Sequence, residues 1–294
     1  MKLFVSLSAI LLLVVTSCSS NWPNKAIQTP TPAITISFEK TKDYQEMKII
    51  TPTVMSSAVP IQIPTATKFA ANVCSPLSDT PIDNLIHMIS NPFYPPKTGS
   101  DDPHQGVDFS VMDPDLRIAM KGASVQAILE GEVVMVMKDR FPYGNAVLVE
   151  TAFQDLPPGW AEKLAGLSAP ELFNTNTTLT CPSGWDELEE PNQELSLLIL
   201  YAHLENPPQL LPGDQVGCGN VMGVIGDSGN ALAPHLHIEM RYGYSAGIEG
   251  SMAHYDVSAD DQEMSNYCRW RVSGWYRIID PMDMFSVSVG TAAD

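Results

Sequence analysis

Short apolar runs separated by glycine, asparagine and aspartate fill the chain from Cys74 onward, and this pattern limits the fold more than any other feature. Runs of this length bounded by turn residues are typical of an all-β domain. Glu130-Gly131 and Tyr143-Gly144-Asn145 suit the reversal of an extended chain. The sequence therefore predicts a mainly β fold, built as a compact antiparallel β-sheet or sandwich. Predicted strands cover residues 124–129, 132–137, 146–151, 196–202, 221–225 and 236–240, and one predicted helix covers residues 82–89.

Two long stretches, residues 152–194 and 242–276, interrupt the strand series and are polar or irregular enough to be surface insertions. Each contains one cysteine, so we expect a disulfide to fix each of them. They also contain four of the five tryptophans, which are Trp160, Trp185, Trp270 and Trp275. Such aromatic side chains either stack on sugar rings or form small cores under long loops, and we favour the small cores. The insertions either line a cleft or lie far from it, and the sequence leaves both positions open.

The N-terminus has the features of an export signal. An apolar run over residues 3–15 follows Met1-Lys2 and is too short to span a bilayer comfortably. It ends in Val15-Thr16-Ser17-Cys18, which resembles a bacterial lipobox. We therefore expect residues 1–17 to be a lipoprotein signal peptide and a lipid on Cys18 to anchor the chain to a membrane. The alternative is an ordinary secretory signal with a chance cysteine, and in both cases the protein works outside the cytoplasm.

Residues 18–73 are rich in threonine, proline, isoleucine and serine and show no sustained hydrophobic period. This composition indicates a tether, and a flexible chain of that length spans about 40 Å on average. A small β-rich prodomain is the alternative, because residues 33–38 and 61–63 are also compatible with strands. The remaining residues, 74–294, form the predicted globular domain.

Charge and cysteine content restrict the partners and the compartment. The formal net charge of −18 repels phosphate backbones, so we expect no nucleic-acid partner. Apart from Cys18, the cysteines are Cys74, Cys181, Cys218 and Cys268. An even number in an oxidising compartment predicts two disulfides, with three possible connectivities. A metal site built from all four is disfavoured because no two of them have the close spacing of such sites.

Histidines are scarce, and four of the six fall into three short motifs. In the first motif, His104 and Asp108 are separated by three residues in a predicted loop that enters a strand. The second motif places His203 at the end of another strand. In the third, His235 and His237 are two apart in a strand, so both imidazoles project from one side. Imidazole and carboxylate groups brought together in this way are typical ligands of zinc.

The ordered motifs, His-x-x-x-Asp, Tyr-x-His-Leu and His-x-His, resemble those of the M23 metallopeptidases, also called the LytM or lysostaphin-type family. The resemblance covers about residues 91–285 apart from the two insertions, and it implies a lysostaphin-type peptidase fold. It continues between the motifs in the segments Gly122-Ala123-Ser124-Val125-Gln126-Ala127, Gly131-Glu132-Val133-Val134, Tyr143-Gly144-Asn145-Ala146-Val147, Gly213-Asp214-Gln215-Val216, Gly223-Val224-Ile225-Gly226-Asp227-Ser228-Gly229 and Ile279-Asp280-Pro281.

Carried over residue by residue, the resemblance makes His104, Asp108 and His237 zinc ligands and makes His203 and His235 the catalytic pair. Three ligands leave a position open for the attacking water, as in other catalytic zinc sites. The implied activity is a zinc metalloendopeptidase that cleaves peptidoglycan cross-links or stem peptides. The alternatives are a non-catalytic LytM-like regulator that binds a cell-wall amidase or another envelope partner, and a zinc peptidase that acts on proteins. His87 and His254 lie outside every motif, and we expect no role for them in the site.

Overall fold

The computed structural model describes residues 72–168, 170, 177–187, 194–245 and 248–290. The expected signal peptide, the lipid attachment at Cys18 and nearly all of the expected tether lie outside the described residues. Within the described ranges, no helix combines the length and the apolar character needed to cross a membrane.

The described residues form ten strands, three α-helices and two short 3-10 helices. The strands are β1 (Ile89–Asn91), β2 (Val107–Phe109), β3 (Ser124–Gln126), β4 (Gly131–Arg140), β5 (Gly144–Ala152), β6 (Leu195–Leu204), β7 (Gln215–Val216), β8 (Val221–Val224), β9 (Leu236–Tyr244) and β10 (Tyr276–Ile279). The helices are α1 (Pro158–Ala165), α2 (Asp261–Val272) and α3 (Pro281–Gly290), and the 3-10 helices cover Ile82–Met88 and Phe153–Asp155.

Eight of the strands form one antiparallel sheet with the order β1-β2-β9-β6-β5-β4-β7, in which β10 also pairs with β9. Strands β2 and β10 pair with different parts of β9 along one edge. Strand β6 pairs with β9 along nearly the whole length of β9. Strands β3 and β8 form a separate two-stranded sheet. The prediction of a mainly β, antiparallel fold is therefore confirmed.

All six predicted strands are present, and the predicted helix over residues 82–89 is a 3-10 helix over Ile82–Met88. Strands β4, β5, β6 and β9 are longer than predicted, because each continues past its apolar run into residues that still pair with a neighbouring strand. The predicted loop before Asp108 does enter a strand, which is β2. Three other short strands, β1, β7 and β10, were not predicted, since runs of two to four residues carry little periodicity.

The large sheet is buried on both faces, because successive side chains of β6 point alternately into two different cores. Leu197 and Ile199 belong to a first core, which also contains Phe285 of α3 and residues of α1 and the small sheet. Leu198 and Leu200 belong to a second core, which also contains Trp270 of α2. Strand β6 is therefore almost continuously apolar, as expected for a strand covered on both faces.

The two stretches predicted to be irregular differ from that expectation, because they contain α1 and α2. Trp160, Trp270 and Trp275 are each no more than 3% exposed. These side chains belong to the two main cores and Trp185 is half-buried against the second, so the tryptophans pack against apolar side chains, as favoured, but not in small separate cores.

Two disulfides are present among the described residues, as predicted, and they show which of the three possible connectivities is formed. Cys74 pairs with Cys218, and Cys181 pairs with Cys268. The second bond joins the two insertions to each other, so a single disulfide fixes both of them. Disulfides of this kind are typical of proteins that fold in an oxidising compartment.

Candidate metal centre and active-site cleft

Strand pairing brings the three histidine motifs together around β9. His237 lies opposite Asp108 of β2 on one side and opposite Ala202 of β6 on the other. His203 follows Ala202, so the second motif reaches the same point. On β9 itself, Leu236 and Ile238 face the first core, which leaves His235 and His237 on the other side, as predicted.

Three of the predicted residues form a group that can hold a metal ion, namely His104, Asp108 and His237. Asp108 Oδ1 is 3.1 Å from His104 Nε2 and 2.7 Å from His237 Nδ1. The two nitrogens are 3.1 Å apart. Ligands at about 2.0–2.1 Å from a tetrahedral zinc are about 3.3 Å from one another. The observed spacing therefore fits zinc after shifts of a few tenths of an ångström.

The outer hydrogen bonds of these ligands fix which atoms face the centre. His104 Nδ1 is 2.9 Å from the Pro92 carbonyl oxygen, to which it donates, so Nε2 is the nitrogen that would bind a metal ion. His237 Nε2 is 3.2 Å from Glu239 Oε1, and donation there makes Nδ1 the nitrogen that would give up its proton to a metal ion. Asn91 Nδ2 donates to Asp108 Oδ2 over 3.3 Å. Partners of this kind orient zinc-binding side chains and select the tautomer.

His203 and His235 lie beside the metal-ligand group, with ring centroids 4.6 Å apart. His203 Nδ1 donates to the Ser228 carbonyl oxygen over 2.7 Å, and His235 Nδ1 donates to the Ala233 carbonyl oxygen over 2.8 Å. In both rings Nε2 is therefore the nitrogen left for a substrate. His235 Nε2 lies 3.5 Å from Asp108 Oδ1, so the pair borders the metal ligands directly.

The backbone at His203 is in the left-handed region, with φ of 62°, which is uncommon for a residue with a side chain. It is held there by two hydrogen bonds: its N–H donates to the Tyr143 carbonyl oxygen and its carbonyl accepts from Gly226 N–H, each over 3.0 Å. Such a conformation costs on the order of 1–3 kcal/mol. This conformation directs the imidazole toward His235 and His237 and not toward the first core, where regular alternation from Tyr201 would place it.

The pKa values of Asp108 and His203 are both lowered, which gives the two side chains different charges at neutral pH. Burial is the largest influence on His203, and with the nearby His237 and His235 it lowers the pKa of His203 to about 3 from 6.5. Burial raises the pKa of Asp108, but hydrogen bonds from His104 and His237 outweigh it and hold that pKa well below its ordinary value. At neutral pH, Asp108 is therefore ionised and His203 is neutral.

His237 has the opposite shift from His203. Burial lowers its pKa, but the hydrogen bonds with Asp108 and Glu239 raise it to about 9. A metal ion at this centre must therefore displace a proton from His237, which couples metal binding to pH.

Glu239 is part of the site although the sequence motifs did not single it out. It is two residues beyond His237 on β9, so it projects from the same side, and it is 0% exposed. Burial raises its pKa, but the guanidinium groups of Arg271 and Arg241 reverse this and keep the pKa well below the ordinary value. The alternation that paired His235 with His237 extends to Glu239 and Arg241, and that signal was available in the sequence.

A cleft of about 680 Å³ contains the five predicted residues together with side chains of the second insertion. Tyr255, Tyr267 and the fully exposed Leu232 line this cleft. Residues 242–276 therefore border the site, which decides the question that the sequence left open for this insertion. His254 lies outside the cleft, packed on Tyr267 at 5.1 Å between ring centroids.

No protein-family model matches the sequence, and no curated protein matches it. Among solved structures, the chain is similar to the catalytic domain of the antimicrobial peptidase lysostaphin from Staphylococcus simulans, with 17% identity, a TM-score of 0.34 and coverage of 70% of this chain and 95% of that one. It is also similar to a mutant catalytic domain of the prophage-encoded M23 protein EnpA from Enterococcus faecalis, with 18% identity, a TM-score of 0.31 and coverage of 53% and 81%.

A third similar structure is a zinc-containing peptidase from Vibrio cholerae, with 19% identity and a TM-score of 0.29. The match covers 52% of this chain and 32% of that one, so the chain spans about a third of that protein. At these identities and TM-scores, the function has to be inferred from the site itself.

Proposed function

We propose that this protein is an M23-like zinc metalloendopeptidase that hydrolyses peptide bonds in peptidoglycan cross-links or stem peptides. The observation that carries the proposal is the convergence of three motifs, distant in sequence, on one cluster. Its ligand atoms are 2.7–3.1 Å apart, and two further imidazoles lie beside them. Open coordination beside candidate proton-transfer groups is the arrangement of a catalytic zinc site.

In this proposal, His104 Nε2, Asp108 Oδ1 and His237 Nδ1 hold the zinc ion. Zinc bound there would lower the pKa of a water molecule toward neutrality and polarise the carbonyl of the peptide bond to be cleaved. His203 donates Nδ1–H to the Ser228 carbonyl oxygen, so its Nε2 is the nitrogen that can accept the proton of the attacking water. The proton that His203 takes up can then pass to the leaving amine, and His235, when it carries a proton on Nε2 as well as on Nδ1, would stabilise the negative charge that develops on the carbonyl oxygen.

The same proposal includes the location of the enzyme. A lipid on Cys18 would attach the chain to a membrane, and the tether would let the catalytic domain reach wall peptides about 40 Å away. The two disulfides support an extracytoplasmic site of action. Cys18→Ser should move the protein from the membrane fraction to the soluble extracytoplasmic fraction without loss of metal, and unchanged membrane association would contradict the anchor.

The test of the catalytic proposal is digestion of purified peptidoglycan by the zinc-loaded protein, with metal content measured on the same samples. His104→Ala, Asp108→Ala and His237→Ala should each lose bound zinc, because removal of one of three ligands removes a large share of the binding energy. His203→Ala should keep its zinc and lose about 10²–10⁴-fold in turnover. His87→Ala is the matched control, because His87 is exposed and outside the cluster.

Two results would contradict the proposal. Full zinc occupancy in the Asp108→Ala protein would refute the ligand set. A zinc-loaded wild-type protein that releases no fragments from peptidoglycan, but binds a wall amidase or another envelope protein, would instead support the non-catalytic alternative.

A further inference from the structure

Glu239 has a complete set of hydrogen-bond donors, although it is fully buried. Its Oε1 accepts from His237 Nε2 at 3.2 Å and from the Tyr143 hydroxyl at 2.8 Å. Its Oε2 accepts from Trp270 Nε1 at 2.7 Å and from Arg241 Nη2 at 2.9 Å. A carboxylate that bonds the outer nitrogen of a metal-binding imidazole fixes the orientation of that ring.

The remaining donor to Glu239 is Arg271, which belongs to α2 in the second insertion. Its Nη1 donates to Glu239 Oε1 over 2.6 Å. On its other edge, Nε donates to Asp101 Oδ1 over 2.5 Å and Nη2 donates to the Asp101 carbonyl oxygen over 2.8 Å. The guanidinium therefore bonds Asp101 on one edge and Glu239 on the other. This contact depends on the several N–H donors that arginine presents in one plane.

The helix that carries Arg271 is fixed independently of this contact. Asp260 and Glu263 form a capping box at the start of α2, and Arg140 of β4 forms an ion pair with Glu263. The disulfide between Cys181 and Cys268 adds a covalent link one turn before Arg271. Arg271 therefore approaches Glu239 from an anchored element.

We propose that Arg271 is a positioning residue for the metal centre and acts through Glu239. Anchored on Asp101, it keeps the Glu239 carboxylate where Oε1 accepts the His237 Nε2 proton, and so keeps His237 Nδ1 directed at Asp108 and His104. The inference rests on the proposed zinc site and adds that an insertion, outside all three histidine motifs, supports that site.

The positions of the donors explain why the other contacts of Glu239 do not replace Arg271. Arg241 and Trp270 both bond Oε2, so they attract the carboxylate away from His237. On Oε1, the Tyr143 hydroxyl is a neutral donor, and Arg271 supplies the only cationic donor besides His237 among the described residues. Without Arg271, only the Tyr143 hydroxyl and His237 hold Oε1 against the attraction of Arg241 for Oε2, and we expect the bond to His237 to lengthen.

The experiment measures the zinc affinity of the full chain by competition with a chelator for wild type, Arg271→Met and Arg271→Lys. Both variants should bind zinc about 10–100-fold more weakly, which is the usual effect of losing an outer-shell partner. Lysine keeps the charge but lacks the planar guanidinium group, so it cannot bond Asp101 and Glu239 at the same time. Arg271→Lys decides the question if Arg271→Met does not fold.

Arg269→Met is the matched control, because Arg269 is on the same helix and donates to the Trp185 carbonyl oxygen over 2.7 Å instead of to Glu239. It should bind zinc with wild-type affinity. Glu239→Gln completes a double-mutant cycle: in that background, Arg271→Met should weaken binding by less than about threefold, because the two residues act in one chain of contacts. Circular dichroism and thermal melts identify the folded variants.

The outcomes separate the two proposals. A wild-type protein that binds no zinc overturns the proposed function. If wild type binds zinc and a folded Arg271 variant binds it within about twofold of wild type, Arg271 is only structural and the inference fails. An equal loss from Arg271→Met with and without Glu239→Gln also overturns it, because the effect would not pass through Glu239.

Discussion

The disulfide between Cys181 and Cys268 should contribute a large part of the stability of this domain. The bond closes a loop of 87 residues in the unfolded chain. In the chain-entropy treatment, loss of that constraint raises the entropy of the unfolded state by about 15 cal/mol/K, or about 4.6 kcal/mol at about 25 °C. Total stabilities of domains are about 5–15 kcal/mol, so Cys181→Ala/Cys268→Ala should lose about 30% or more of its stability.

The assay is equilibrium unfolding in guanidinium chloride under non-reducing conditions. With a slope of about 5 kcal/mol/M for a domain of this size, the midpoint should fall by about 1 M. Cys74→Ala/Cys218→Ala is the matched variant: its loop has a sequence separation of 144 residues, which predicts a loss of about 5.0 kcal/mol. In each variant the other disulfide is still present, but it does not shorten the chain path between the two mutated positions. The sequence separations are therefore used as the loop lengths.

Comparison of the two variants also tests the function of α2. Only the Cys181–Cys268 bond is on the helix that carries Arg271, so only its loss should weaken zinc retention in the folded protein. An unfolding free energy of Cys181→Ala/Cys268→Ala within about 1 kcal/mol of wild type would refute the entropic reasoning. Equal zinc retention by the two folded variants would show that the link does not help to position α2.

Three further predictions concern single residues. Gly106→Ala should strip most of the zinc, measured as metal content, because its Cβ would lie 2.6 Å from Cε1 of His237. Tyr201→Phe should cost about 1–3 kcal/mol in denaturant unfolding and leave zinc binding intact, because the buried Ile128 N–H loses the hydroxyl it bonds at 2.8 Å. With chelator present, wild type should lose about 2 kcal/mol more stability than His203→Gln between pH 8 and pH 5, since the unfolded imidazole gains its proton near 6.5 whereas the folded one stays neutral until about 3. An identical pH dependence in the two proteins would contradict the low pKa of His203.

The parts of the structure that could be predicted from sequence are those with a local pattern. Alternation along β9 correctly placed His235 and His237 on one side and Leu236 and Ile238 on the other. The convergence of the three motifs was reached only through the resemblance, because the pairing of β2 with β9 joins residues more than one hundred positions apart.

Helix α2 escaped prediction for a physical reason. Its buried positions include Glu263, Ser265 and Asn266, so the apolar stripe that identifies most helices is absent. These polar groups are buried because they have partners, such as the backbone carbonyls that accept from Asn266. One local signal was nevertheless present, since aspartate at position 260 followed three residues later by Glu263 has the spacing of a capping box.

Tyr201 shows how a motif residue can have a role unlike that of its neighbours. It shares a motif with His203, but its ring faces the first core and its hydroxyl accepts from Ile128 N–H of the loop after β3. Sequence proximity to a catalytic candidate therefore does not imply a place in the cleft. The left-handed backbone at His203 separates the directions of the two side chains.

The contact between α2 and Glu239 has a consequence for protein engineering. Surface loops around a catalytic cleft are often exchanged between related enzymes to change the choice of substrate, on the assumption that the loop and the catalytic centre are independent modules. Here the loop that supplies Tyr255 and Tyr267 to the cleft wall also supplies Trp270 and Arg271 to the buried carboxylate behind His237. A transplanted loop that lacks these two donors would change selectivity and metal retention together, so it has to be exchanged with a compensating change at Glu239.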